Sequence, residues 1–262
     1  MFRFVVVIFS YSFLFDPCRF QVESMIHIIS SHILPSLSIS PIYDHSLFPS
    51  MSIIRIPTSI PYDSNIYLVT GDRPIVIDAG TGQDSESVIH RIRSYTPVAP
   101  VAVIATHCHF DHTGGLKDLV NAFDCLVFAG STDAPFIRSS DSEYTVSHLF
   151  GSSLRSVDVV DLHEDDILNT GEHALRVIDT PGHTPGCICL YEDTTGYLIS
   201  GDTLFLTGYG RTDFPGGSMS SMRSSLSKLS NIDIRGLFPG HGSICERYNP
   251  SFLAGVLNMA GV

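Results

Sequence analysis

The densest group of potential metal ligands lies at residues 106–115, which read Thr-His-Cys-His-Phe-Asp-His-Thr-Gly-Gly. In an extended chain, residues two apart point the same way, so His107 and His109 can bind one metal ion. Asp111 and His112 follow at a bend, where they can bind a second ion. Imidazole nitrogens combined with carboxylate oxygens suit borderline ions such as zinc. The segment therefore predicts a metal centre.

Three later segments add candidate ligands. His183 lies in a turn between two Pro-Gly pairs, Asp202 follows a predicted strand, and His241 lies in a Pro-Gly-His-Gly turn. Each is a weak signal alone, because a single histidine in a turn is more often a surface residue. All of these segments follow predicted strands, and loops at one rim of a sheet scaffold can converge on a site. Together they predict one shared centre.

Such a centre would favour hydrolysis of an ester-like bond. A metal-bound water ionises near neutral pH, and the same ions stabilise the oxyanion that forms when it attacks a carbonyl. Asp111 could orient the attacking hydroxide. A serine nucleophile is not needed, since Ser200 lies near Asp202 but lacks the turn that exposes a catalytic serine.

The elements that must position these residues alternate short β-branched runs with turn signals, which is typical of a layered α/β fold. An alternating segment is found at residues 52–56, and strands are predicted at residues 65–69, 74–77, 101–106, 125–128, 174–178, 187–191, 197–200 and 237–238. Helices are predicted at residues 85–95, 115–123 and 218–229. Asp84 is a candidate N-cap for the first helix. The polar stretch 130–170 is expected to be an irregular insertion that could cover the site.

The first fifty residues are expected to lie outside the core fold. The apolar run at residues 4–15 is shorter than the roughly 20 residues that cross a bilayer, and no small-x-small cleavage site follows it. Sustained periodicity begins only after residue 50. We therefore expect an N-terminal extension at 1–50 and one domain at 51–262.

Composition narrows the partners. The 262 residues include 27 acidic and 15 basic side chains, a net charge of −12, which argues against a protein that neutralises nucleic-acid phosphates. Six cysteines are too sparse for a disulfide scaffold and suit a reducing compartment. These features predict a cytoplasmic protein with a small-molecule substrate and neither a nucleic-acid nor a membrane partner. No heptad or interface stripe indicates an oligomeric state.

The cysteines near the predicted ligands are expected to be structural. Cys187 and Cys189 alternate in a predicted strand, so they face one side and pack in a core. Cys108 lies between two candidate ligands, and by the same alternation it points away from the metal. None of the three is predicted to be a ligand.

Taken in order from Asp78 to His241, these motifs resemble those of the metallo-β-lactamase-fold superfamily. The resemblance implies a four-layer αβ/βα sandwich with two zinc ions, iron or manganese being the alternatives. It implies that His107, His109 and His183 hold the first ion, and Asp111, His112 and His241 the second. Asp202 would be the bridging carboxylate. Asp78 would support the site from behind.

Two further stretches, residues 201–205 and 210–217, resemble the glyoxalase II-like (hydroxyacylglutathione hydrolase-like) and persulfide dioxygenase-like branches. The last motif, around His241, is closer to the hydrolases. The resemblance thus implies a dinuclear zinc thioesterase with Asp111 and Asp202 as its catalytic residues. Arg211 would contact a substrate anion or form a loop bracket with Asp213.

Two alternatives remain open at this stage. A persulfide dioxygenase of the same fold would use one iron held by His107, His183 and Asp202, and that set is also complete. The second alternative is a module that binds metal without turnover.

Overall fold

The computed structural model describes residues 53–262, and its first sheet has six strands in the order β1 to β6. Their bounds are β1 Ile53–Ile56, β2 Ile66–Val69, β3 Ile75–Ile77, β4 Ala102–Ala105, β5 Leu126–Gly130 and β6 Val160–Leu162. The pairs among β1, β2 and β3 are antiparallel. Those from β3 to β6 are parallel, so β4 and β5 end at the same edge.

The second sheet has five strands in the order β13-β10-β9-β8-β7. Their bounds are β7 Ile167–Asn169, β8 Ala174–Asp179, β9 Ile188–Glu192, β10 Tyr197–Gly201 and β13 Gly236–Pro239. Only the pair of β10 and β13 is parallel. A separate small hairpin joins β11 Leu204–Phe205 to β12 Gly208–Tyr209.

Helices cover the outer face of each sheet. Their bounds are α1 Ser85–Tyr95, α2 Phe110–Thr113, α3 Leu116–Phe123, α4 Ala134–Ser139, α5 Met219–Leu229 and α6 Pro250–Ala260, with a 3₁₀ helix at Ser147–Phe150. Apolar side chains of α1 and α3, such as Ile92 and Leu119, pack on one face of the first sheet. Those of α5 and α6, such as Leu226 and Val256, pack on the second sheet.

The other faces of the two sheets meet. Tyr67 of β2 packs edge-on against Phe238 of β13, with 5.9 Å between ring centroids. At the rim, the Ile188 amide donates to the Thr106 carbonyl at 2.9 Å. The layers therefore run helix, sheet, sheet, helix, which confirms the predicted four-layer α/β sandwich.

The expectation of an irregular insertion at residues 130–170 was wrong. That stretch contains α4, the 3₁₀ helix, β6 and β7, and both strands extend a sheet. The strands escaped prediction because they are short and poorly buried: of β6, only Leu162 is buried. Pairing with β5 places β6 in the sheet, and that contact is not written in its own sequence.

Two helix ends also differ from expectation or went unpredicted. Asp84 stands at the N-cap position of α1 but makes no capping hydrogen bond; its carboxylate accepts from the Ser59 amide at 2.7 Å. The unpredicted α6 has ordinary end signals, since the Asn249 side chain accepts from the Ser251 amide and Gly261 ends the helix with φ of 76°.

Within residues 53–262, no helix combines the length and apolarity needed to cross a bilayer. The predicted domain start near residue 51 and the predicted extension fall largely outside the described residues, so they stay predictions.

Candidate metal centre

The carboxylate of Asp78 fixes the start of the turn after β4, one residue ahead of the first candidate ligand. Asp78 accepts from the Thr106 amide at 2.8 Å and from the Thr106 hydroxyl at 2.9 Å. Asp78 itself has φ of 60°, a left-handed conformation that aspartate tolerates better than most residues. The chain then turns into α2, so that His107 and His109 precede the helix while Asp111 lies on it.

Three histidines form the first ligand group. The rings of His107, His109 and His183 lie 4.5–4.8 Å apart between centroids and are nearly perpendicular to one another. One nitrogen of each lies within 4.8 Å of the others, and all three residues are buried. This is the group that the resemblance implies for the first ion.

The second ligand group consists of Asp111, His112 and His241. His241 Nε2 lies 3.0 Å from Asp111 Oδ2 and 3.2 Å from His112 Nε2. Two ring nitrogens this close repel each other unless a proton or a cation lies between them. The group therefore also has the arrangement expected of ligands to one ion.

Asp202 lies between the two groups. Its Oδ1 is 3.5 Å from His112 Nε2, and its Oδ2 is 3.6 Å from His183 Nε2 and 3.7 Å from His241 Nε2. One carboxylate thus faces both groups, as a bridging ligand would.

Unpartnered polar atoms test whether these residues suit a metal. The Nε2 atoms of His107, His109 and His183 and the Oδ1 atom of Asp202 are buried and make no hydrogen bond with any of residues 53–262. Leaving such an atom unpaired costs about 1–3 kcal/mol. Since the four atoms face one small volume, divalent cations there would satisfy them, and five imidazoles with two carboxylates suit a borderline ion. The donor set fits a metal centre.

Hydrogen bonds behind the ligands fix their tautomers. His183 Nδ1 lies 2.7 Å from the Arg211 carbonyl, which can only accept, so Nδ1 carries the proton and Nε2 keeps its lone pair. His112 Nδ1 lies 2.8 Å from Asp78 Oδ2. Outer partners of this kind orient ligating histidines, and they give Asp78 the supporting position implied by the resemblance.

The electrostatics of the metal-free site are uneven. Burial, followed by the neighbouring histidines, lowers the pKa of His107 well below its ordinary value and keeps the ring neutral. Burial also lowers the pKa of His112, but the carboxylates of Asp78, Asp202 and Asp111 outweigh it and raise that pKa to about 10. Burial raises the pKa of Asp111, yet His112 and His241 bring it below its ordinary range. Asp111 is therefore ionised.

Asp133 is a positioning residue that the sequence reasoning missed. It is fully buried, and its Oδ2 accepts from the Cys108 amide at 2.9 Å and from the Thr184 hydroxyl at 2.6 Å. Its Oδ1 accepts from the Gly186 amide at 2.7 Å. One carboxylate thus joins the loop between His107 and His109 to the turn of His183.

Asn65 and Tyr67, which were also not predicted from the sequence, hold the His241 turn. The Tyr67 hydroxyl donates to the Pro239 carbonyl at 2.6 Å, and the Asn65 side-chain amide donates to the same carbonyl at 2.9 Å and to that of Gly242 at 3.1 Å. Burial raises the pKa of Tyr67, so its hydroxyl stays protonated. A signal existed: Asn65 directly precedes β2 and Tyr67 lies on it, and side chains two residues apart in an extended chain face the same side.

Arg211 adopts the bracket arrangement. Its guanidinium makes two hydrogen bonds to the Asp213 carboxylate, of 2.7 and 2.6 Å, and lies 4.0 Å from the centroid of the Phe214 ring. The contact of Arg211 with a candidate ligand is made by its backbone carbonyl, which accepts a hydrogen bond from His183 Nδ1, and not by its guanidinium.

The cysteines next to the ligands are structural, as predicted. Cys108, Cys187 and Cys189 are buried, and burial raises the pKa of each thiol, to about 11 for Cys189. Cys108 donates to the Tyr144 carbonyl at 3.3 Å, away from the histidines.

A cavity of about 390 Å³ opens on the two ligand groups. It is lined by His109, Asp111, Val146, Leu149, Phe150, His183, Asp202, Phe205, Gly210, Arg211, Phe214 and His241. Part of the stretch 130–170 does line this cavity, as expected, but as an ordered 3₁₀ helix.

The chain is similar in sequence to a known protein family and to individual known proteins. Residues 60–241 match the metallo-beta-lactamase superfamily. The chain is 36% identical over 193 residues to a probable metallo-hydrolase of Methanocaldococcus jannaschii. The aligned region covers 71% of this chain and 91% of that protein.

Two solved structures are also similar. The protein TTHA1623 in a di-iron-bound form is 29% identical with a TM-score of 0.66, over 77% of this chain and 97% of that chain. The B3 metallo-beta-lactamase BLEG-1 is 27% identical with a TM-score of 0.66, over 74% of this chain and 93% of that chain.

Proposed function

Since the chain belongs to the metallo-beta-lactamase superfamily, we propose that it is a metal-dependent hydrolase that cleaves a thioester or related ester bond in a small molecule. His107, His109 and His183 would hold the first ion, and Asp111, His112 and His241 would hold the second. Asp202, which faces both groups, would bind between them. Zinc is the metal we expect, and the di-iron form of one relative keeps iron as the alternative.

Bound divalent cations lower the pKa of a water molecule and stabilise negative charge on a carbonyl oxygen. The residues of the chain do the rest. Asp111 is ionised and lines the cavity, so its carboxylate can accept a hydrogen bond from the attacking water and orient it. The hydrogen bond from His183 Nδ1 to the Arg211 carbonyl keeps Nε2 aimed at the site.

The observation that carries this proposal is the convergence of unpartnered atoms. Three buried imidazole nitrogens and one carboxylate oxygen have no hydrogen-bond partner in the described part of the chain, and Asp202 faces both ligand groups. An open cavity reaches the same atoms. A module that only stores metal has no need of such an opening, which favours turnover.

The proposal also includes the bounds of the active domain and the compartment in which the protein works. The domain that carries this activity extends from residue 51 to 262, with residues 1–50 outside it. The protein works in a reducing compartment such as the cytoplasm, since the five cysteines of the described residues are free.

Metal analysis combined with a substrate panel tests the function. Purified full-length protein is expected to hold two zinc ions per chain and to hydrolyse thioesters or other esters. One iron per chain with oxygen uptake on persulfides would instead identify a dioxygenase, and bound metal without turnover on either panel would identify a binding module.

Asp111→Asn is the sharpest variant for this test, because the amide keeps the size of the side chain and removes its charge. We expect kcat to fall by at least about 100-fold. Asp161→Asn serves as the matched control, since Asp161 pairs with Arg138 at the surface. A kcat for Asp111→Asn equal to that of the control would contradict the role of Asp111.

A further inference from the structure

One part of the cavity lining, called the wall below, is apolar. It is formed by Val146, Leu149, Phe150, Phe205 and Phe214. Leu149 is 59% exposed, although it is a large apolar side chain. Apolar surface grouped at the mouth of a cavity is typical of a binding site rather than of an ordinary protein surface.

This wall is held in place relative to the ligands. Val146 has φ of 51°, an outlier for a β-branched residue, and such strain costs about 1–3 kcal/mol. It persists because the neighbouring Thr145 accepts from the Phe110 amide at 2.8 Å and donates through its hydroxyl to Asp141. Phe150 packs against Phe110, at 5.4 Å between ring centroids. The wall is thus fastened to α2, which carries Asp111.

The charges around the cavity disfavour an anionic group on this wall. Arg211 is the sole lysine or arginine among the lining residues, and both of its hydrogen bonds go to Asp213. A substrate carboxylate placed against the wall would lose water without gaining a free cation, which is costly. The cavity is near the small end of ligand sites, which measure about 300–1,000 Å³.

We propose that the substrate is a small ester or thioester whose group beside the scissile carbonyl is apolar and uncharged, such as an aryl or branched alkyl group. That group packs against Leu149, Phe150 and Phe214. The inference rests on the proposed hydrolase function. It makes the Arg211–Asp213 pair a specificity element, because the pair withholds a cation from the pocket.

Thiols that bind the metal directly test this preference without turnover. Cobalt-loaded full-length protein is titrated with phenylmethanethiol and with 4-(mercaptomethyl)benzoate, which differ by one carboxylate, and binding is followed by the visible spectrum. We expect the uncharged thiol to bind at least about ten-fold more tightly. Equal binding, or tighter binding of the carboxylate, would overturn the inference.

Two variants locate the preference. Asp213→Asn removes the negative charge that pairs with Arg211 and is expected to strengthen binding of the carboxylate thiol by about ten-fold. Leu149→Asp puts a charge on the wall and should weaken the uncharged thiol by a similar factor. Met259→Asp is the matched control, because Met259 is an equally exposed apolar residue on α6, outside the cavity. A change in Met259→Asp as large as in Leu149→Asp counts against the wall.

Turnover separates the two proposals. Along a series of linear acyl thioesters, kcat/KM is expected to rise about three- to four-fold for each added methylene. If no ester is cleaved but the thiols discriminate, the hydrolase proposal fails and the pocket preference stands. If esters are cleaved and charged acyl groups are preferred, the pocket preference fails alone. A protein that binds neither thiol overturns both.

Discussion

At the scale of single residues, the Asp133 carboxylate joins the loop of His107 and His109 to the turn of His183. The spacing of His107, His109 and Asp111 is enough to predict them as candidate ligands. Few proteins without a metal site need two histidines and an aspartate at alternate positions. Asp133 lies in Thr-Asp-Ala-Pro, which is typical of an ordinary helix N-cap. It occupies that position in α4 but makes no capping hydrogen bond, since its carboxylate turns inward. That choice depends on loops distant in sequence.

Asp133→Asn is expected to weaken metal binding at the three-histidine group selectively. The amide cannot accept from all three donors that converge on Asp133, so the loops of His107 and His183 lose their common anchor. We expect the affinity of that site to fall by about ten-fold or more, while the site containing His241 keeps its own. Stepwise cobalt titration, followed by the visible spectrum, resolves the two sites.

Tyr67→Phe is the complementary control for this prediction, because it should affect the other metal site. It removes the hydrogen bond to the Pro239 carbonyl and so loosens the His241 turn instead. Equal loss at both sites in either variant would indicate general destabilisation and would refute the assignment of each support to one site.

The pH dependence of the metal-free protein should follow His112. Its pKa in the folded protein is about 10, above the ordinary 6.5, so its protonation stabilises the fold fully below pH 6.5. That contribution is lost as the pH rises through about 10. We therefore expect the free energy of unfolding, measured with urea in the presence of a chelator, to decline between pH 7 and pH 10.

Asp78→Asn controls for other groups that titrate in this range. The substitution keeps a hydrogen-bond acceptor near His112 but removes the carboxylate charge that raises its pKa most. Its unfolding free energy should vary less between pH 7 and pH 10 than that of the unaltered protein. Parallel curves for the two proteins would show that His112 is not the group responsible.

At the scale of elements, well-buried strands and long helices could be predicted, and marginal ones could not. β4 is buried along its whole length and reads as a continuous apolar run, whereas β6 and β7 are three residues each and become strands by pairing with neighbours. The turns that present the ligands lie between these cases. Their Pro-Gly signals are visible in the sequence, but the space around each glycine is a property of the assembled rim.

Gly240→Ala tests how tightly that rim is packed. A Cβ at Gly240 would collide with Asp202 Oδ1 and lie 2.7 Å from His112 Cε1, so the His241 turn must move away from both ligands. We expect the variant to bind one metal ion rather than two and to lose most of its activity. Metal content after dialysis measures the first effect.

Gly255→Ala is the matched control for that substitution. Gly255 lies exposed in the middle of α6, and a Cβ there meets no atom within 4 Å. Alanine should keep both ions and raise the free energy of unfolding by about 0.5–1 kcal/mol. If Gly240→Ala keeps two ions as Gly255→Ala does, the rim is more adaptable than its contacts indicate.

At the scale of the whole molecule, the alternation of short strands and helices indicated a layered α/β fold, and the resemblance of the ordered motifs to a known superfamily implied its four layers. All seven candidate ligands and both sheets lie within residues 53–262, and the superfamily match covers residues 60–241. A chain that begins at Met51 should therefore fold with one cooperative transition. We expect its metal content to equal that of the full chain and its stability to differ by less than about 1 kcal/mol, or about 2–4 °C in Tm.

A chain that begins at Pro57 gives this experiment its reference. It lacks β1, whose Ile56 is buried and which pairs with β2 over four residues, so β2 becomes an open edge. Because β2 carries Tyr67 and directly follows Asn65, and both residues hold the His241 turn, this shorter chain should lose stability and metal together. The boundary proposed at residue 51 requires the two chains to differ. If the chain from Met51 already loses metal, residues 1–50 belong to the working protein after all.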